Sequence, residues 1–157
     1  QRRPVNQTKL RHLIKGSVVE HSFQQSDKMQ EAEIEQKPAV FIFHDERKGQ
    51  WMFHDAKDKS QRFSLEDGMV GEGGKFLKPN TEVVTEAFNE KIFHVKIPIK
   101  MDLKVVEAPP DVRGNTAQGG SKIVTLETGN DINVPMFVKA GDVIRVNTDT
   151  GEYVERV

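Results

Sequence analysis

Five histidines, His12, His21, His44, His54 and His94, are the first residues one would ask to bind a metal or carry a proton. None stands four residues from another on a helical pattern or within a known ligand spacing, and the chain has no cysteine to add a thiolate. The paired carboxylates Asp45-Glu46 and Glu66-Asp67 fall where the sequence reads as turns, and acids are common there for solvation alone. Gly71, Gly73 and Gly74 form a G-x-G-G run. It lacks the Lys-Ser or Lys-Thr of a phosphate loop and follows no strand-to-helix pattern, so it reads as a turn. There is no G-x-S-x-G elbow and no dinucleotide fingerprint. The expectation is a protein without catalytic residues, metal or cofactor.

Three other groups of residues suit recognition better than catalysis. Residues 1–16 carry Arg2, Arg3, Lys9, Arg11 and Lys15 with no acid, whereas residues 101–157 carry six basic residues against nine acids. A protein that coats nucleic acid without preference is basic throughout, because its affinity comes from neutralising many phosphates. Here only one end is basic, which fits a local RNA contact; a solvated edge strand is the plainer alternative. Arg113-Gly114-Asn115-Thr116 lies between Pro109-Pro110 and Gly119-Gly120, so its backbone could approach a partner closely and its short side chains could bond to bases or phosphates. A strain-relieving turn is the other reading. The third group is Gly151, Tyr153 and Arg156. Tyr153, the one tyrosine, can stack on a nucleotide or cap a core with its ring, and the second role is favoured. Arg156, like Arg145, suits either a surface charge or a phosphate contact.

Elements that could position these residues are short and β-like. The chain has 157 residues, a net charge of −1 and a hydrophobic share of 36%, below the roughly 45–50% usual for globular domains. Several small cores are expected instead of one large one. No apolar run is long enough to cross a membrane, and the polar start Gln1 to Asn6 does not read as a signal peptide. Runs 5–14 and 18–23 make a hairpin around Gly16, and Met29 to Ile34 alternates as a third strand. Ala39 to His44 places Phe41 and Phe43 on one face, and turns at Gly49 toward Trp51 and Phe53. Glu82 to Phe88 and Ile92 to Ile99 follow, with Pro98 at a strand edge or end. The last third holds five short strands with turns at Gly129, Gly141 and Gly151, the outline of an oligonucleotide-binding barrel. Residues 37–100 share that rhythm.

From Lys122 to Gly141 the chain reads K-I-V-T-L-E-T-G-N-D-I-N-V-P-M-F-V-K-A-G, and it ends G-D-V-I-R-V-N-T-D-T-G-E-Y-V-E-R-V. Both stretches resemble the C-terminal signature of the bacterial translation elongation factor P family, and K-L-R-H-L-I-K-G-S-V-V-E-H-S-F is similar to the second half of its first domain. The resemblance implies an all-β chain of tandem barrels: residues 1–36 as the later part of an SH3-like, KOW-type domain, then OB-folds at 37–100 and 101–157. It implies a factor that binds both ribosomal subunits between the P and E sites and positions peptidyl-tRNA, especially at consecutive prolines. On this reading Arg2, Arg3, Lys9 and Arg11 lie near the tip that meets tRNA. Arg113 to Thr116 becomes the loop reaching the E-site codon, and Gly151, Tyr153 and Arg156 lie in a contacting hairpin. The family's projecting lysine or arginine, often modified by a dedicated enzyme, would align with Gln1, or with Arg2 after a shift of one residue. Asn115 stands where the family usually has aspartate, and Ile123-Val124 where it commonly has Pro-Ala. A cytoplasmic monomer is expected. The alternatives are a paralogue with another ribosomal role, a free single-strand-binding barrel protein, and a structural scaffold.

Overall fold

The computed structural model describes residues 4–110 and 120–157, and nearly all regular structure among them is β-strand. It begins with an antiparallel hairpin, β1 (Val5–Arg11) and β2 (Val18–Gln24). Its turn is tied by the His12 ring, whose Nδ1 accepts from the backbone N–H groups of Ile14 and Lys15 at 3.2 and 3.1 Å. Two strands alone enclose no core, and Val5, Leu10, Leu13, Ile14, Val18 and Val19 are all exposed.

The expected third strand at Met29 to Ile34 does not form. Glu31, Glu33 and Glu35 would line one strand face as like charges. Instead Ala32 and Ile34 turn into a small apolar cavity of about 230 Å³ shared with Phe88 and Phe93.

The central sheet comprises β3 (Glu35–Asp45), β4 (Gln50–Asp55), β5 (Arg62–Glu66), β6 (Glu82–Phe88) and β7 (Lys91–Lys96), in the order β5-β4-β3-β6-β7. Between β5 and β6 lie a short helix α1 (Asp67–Val70) and a 3-10 turn (Glu72–Phe76). The helix touches both β5 and β7, the two strands at the open edges of the sheet, and so fills the seam. The core holds Phe41, Trp51, Phe53, Leu65, Val70, Val83 and Val95. The expected pairing of Phe41 and Phe43 on one face fails: Phe41 is buried and Phe43 exposed. A β-bulge between them shifts the register against β4, and an inserted residue sends every later side chain to the other face. The glycine run is a turn, as expected, but of 3-10 type. A Cβ on Gly74 would lie 2.8 Å from both the Trp51 ring and Val70, so glycine is what lets this segment close over the tryptophan.

The last sheet comprises β8 (Lys100–Glu107), β9 (Ser121–Leu126), β10 (Asp131–Pro135), β11 (Val143–Asn147) and β12 (Glu152–Arg156). Its order, β10-β9-β8-β11-β12, repeats that of the central sheet, and contact between β10 and β12 rolls it toward closure. Strict in-out alternation buries Met101, Leu103, Val105, Val124, Leu126, Ile132, Val134, Ile144 and Val146. Two successive five-stranded sheets curled in this order are OB-folds, as the sequence led one to expect.

One core side chain crosses from the central segment into the last barrel. Phe76, from the 3-10 turn of the central segment, is 1% exposed and belongs to the core of the last barrel. Around it, the Thr148 hydroxyl donates to Pro98 O at 2.8 Å, and Lys78 Nζ donates to Asp102 O at 3.0 Å while lying 3.8 Å from Glu127. The Asn130 amide donates to Lys75 O. Pro98 sits between β7 and β8, where its missing donor breaks no ladder.

Candidate nucleic-acid interface

In the last barrel, β9 and β10 are the second and third strands, and in OB-folds this face with its flanking loops is where oligonucleotides lie. The loop between β8 and β9 leaves at Ala108 and returns at Gly120. Arg113, Gly114, Asn115 and Thr116 fall outside the described residues. At the returning end, Gly120 and Ser121, with Asn133, Pro135, Gly151 and Tyr153, line an open depression of about 370 Å³. Two of the three hairpin residues singled out in the sequence, Gly151 and Tyr153, thus share a surface with the foot of the loop.

Their roles divide. Tyr153 packs its ring against the barrel core and leaves part of it on the depression. Gly151 has φ +72°, a conformation that favours glycine, and faces the Phe76 ring, 3.8 Å from where a Cβ would stand. It closes the β11–β12 turn, where Asn147 accepts from the backbone N–H groups of Asp149, Thr150 and Gly151.

Arg156 lies elsewhere, at the far end of β12. Its Nη1 is 3.6 Å from Asp142 and its guanidinium sits 5.3 Å above the Phe137 ring. Arg145 is more tightly held. Nε and Nη2 donate to the two oxygens of Asp102 at 2.8 and 3.0 Å, and Nη1 donates to Glu155 at 2.6 Å. The Arg145 hydrogen bonds hold the Asp102 carboxyl below its ordinary range, and the same contacts push the arginine further up. An arginine bonded to two carboxylates has no fork left for a phosphate, so Arg145 is a structural clamp across β8, β11 and β12.

At the other end of the chain, Arg2 and Arg3 lie outside the described residues. Lys9 and Arg11 are exposed on β1; Lys9 sits opposite Glu20 of β2, and Arg11 opposite Val18 beside the turn. A seven-residue strand spans about 20 Å, so these two mark the inner half of the hairpin.

Sequence reasoning missed one cluster. Asp67 Oδ1 receives the Trp51 indole N–H at 2.7 Å and His44 Nε2 at 2.9 Å, and the His44 ring stacks on Trp51 at 3.9 Å. These residues come from β4, α1 and β3, and no spacing links them. The cluster pins α1 to the sheet. A histidine and a carboxylate make a proton-transfer pair only beside a reacting group, and here the third partner is an indole. Among the described residues no three His, Asp or Glu side chains are grouped to hold a metal, and no helix is long and apolar enough to cross a membrane.

Comparison with known proteins agrees with this architecture. The family model "Elongation factor P, C-terminal" matches residues 101–156, the last barrel to within a residue. Elongation factor P of Carboxydothermus hydrogenoformans is 35% identical over 154 residues, covering 98% of this chain and 82% of the relative. That of Clostridium botulinum strain Eklund 17B is 41% identical over 150 residues, covering 96% and 80%. The Caldanaerobacter subterraneus protein of the same name is 36% identical over 150 residues. With identity at this level running through the hairpin and both barrels, the chain belongs to the elongation factor P family of translation elongation factors.

Proposed function

We propose that the protein binds the ribosome between the P and E sites and holds peptidyl-tRNA in a reactive posture, above all where consecutive prolines must be joined. Proline fixes its own φ and restricts its neighbour, so the reacting ends meet poorly aligned. Orientation alone can be worth about 7–11 kcal/mol in the best-aligned reactions, and a factor that supplies it needs no acid or base of its own. The ribosome remains the catalyst, in the cytoplasm where it works. In this reading Arg2, Arg3, Lys9 and Arg11 meet tRNA phosphates, and residues 113–116, with the depression beside Tyr153, meet the small subunit. The domain division at residues 36 and 100 follows the same reading.

The observation that carries it is the family match along nearly all of this chain joined to a locked pair of barrels. A wedge that positions RNA must be stiff, and Phe76, Thr148 and Lys78 supply that stiffness between the sheets. A reconstituted translation system with a reporter containing three successive prolines tests it. Added protein should speed the proline-proline bonds and leave a proline-free reporter unchanged. Ribosome binding without any proline effect would favour a paralogue with another role, and tight binding to short oligonucleotides without ribosomes would favour a free single-strand-binding protein.

A further inference from the structure

A cleft of about 570 Å³ runs between the hairpin turn and the central barrel. Leu13, Met69 and Phe93 are among its lining, and Arg11 and Lys15 from the hairpin and Lys91 from the barrel bring three cations to it. Arg11 and Lys15 flank the turn after β1, while Lys91 opens β7. None of the three engages a carboxylate among the described residues, in contrast to Arg145 and Arg156 of the last barrel. Two acids share the cleft, and they are unequal. Glu86 is bonded by Lys96 at 2.9 Å and by Gln36 at 2.9 Å, which holds its carboxyl below the ordinary range. Only Glu66 opposes the cations without a partner of its own. The balance is positive, and its sources come from the hairpin and from the central barrel alike.

We propose that this cleft grips the phosphodiester backbone of an RNA strand, with Arg11, Lys15 and Lys91 on successive phosphates. RNA recognition is then shared between the hairpin and the central barrel, and not confined to the basic N-terminal strand. This rests on the ribosome-binding reading above and adds Lys15 and Lys91 to it. The apolar side chains of the lining suit the sugar edge of a strand, and the cations read charge without sequence. Each phosphate neutralised lowers the slope of log affinity against log salt by about 0.7–0.9.

The chain contains no cysteine, so Lys91→Cys gives a single attachment point for an iron chelate that cleaves nearby backbone. Bound to ribosomes carrying P-site tRNA, the tethered protein should cut RNA. Lys15→Glu with Lys91→Glu should weaken ribosome affinity about tenfold or more and flatten the salt slope by about two. The charge reversal Lys139→Glu, on the last barrel, should do neither. Unchanged affinity in the double variant, or cleavage confined to ribosomal protein, would overturn the cleft while leaving the ribosome reading intact. Should the parent chain not bind ribosomes at all, a 16-nucleotide single-stranded RNA decides the matter. Binding that the double variant loses keeps the cleft and removes the ribosome, and no binding removes both.

Discussion

At the scale of single residues, the fold depends on a few close approaches. Gly74→Ala would drive a methyl group into Trp51 and Val70, both 2.8 Å from the new atom. Overpacking of this kind costs about 1–3 kcal/mol, and the one tryptophan reports it. Urea unfolding followed by Trp51 fluorescence should show an earlier midpoint and an altered native emission. Acid sensitivity has a definite sign. Asp102 and Glu86 are held below their ordinary values of 3.8 and 4.5 by Arg145 and Lys96 respectively. Their folded-state pKa values lie under the unfolded ones, so their contribution is complete above about pH 5 and drains away as pH falls through the folded values. Chemical denaturation at pH 6, 4 and 3 should show this loss, and Asp102→Asn should shrink it. Both groups are near the surface, so the effect is modest.

Among elements, legibility in the sequence tracked how local the determining interaction is. The five strands of the last barrel follow from alternation and from glycines that mark their turns; Gly129, Gly141 and Gly151 all take positive φ. The bulge after Phe41 was invisible, because a bulge is decided by the partner strand's register and not by the run itself. Alternation at Met29 to Ile34 misled for the opposite reason, since a period of two needs a neighbouring strand to give it meaning. Of the candidate interface, Gly151 and Tyr153 were legible from the turn chemistry. The commitment of Arg145 to Asp102 and Glu155 was not, because its partners stand 43 and 10 residues away on other strands. At this scale Gly151→Ala should cost about 1 kcal/mol through its left-handed backbone, seen as a lowered melting temperature with the strand content retained by circular dichroism.

Taken whole, the molecule is two curled sheets joined by one shared core side chain and by the polar contacts of Lys78 and Asn130, plus a hairpin that borders a charged cleft. Phe76→Ala should cost about 3–5 kcal/mol, as removal of a buried phenylalanine does. Because the lost ring belongs to one segment and its pocket to the next, calorimetry should show one transition splitting into two, and two-state analysis should fail. The same phenyl ring orders the protein's birth. Phe76 is translated about 75 residues before Gly151, which faces its ring in the finished fold, and at roughly 5–20 residues per second that means several seconds of waiting. During that interval the nascent central barrel displays a bare aromatic group to chaperones and neighbouring chains, and only the arrival of the final hairpin withdraws it.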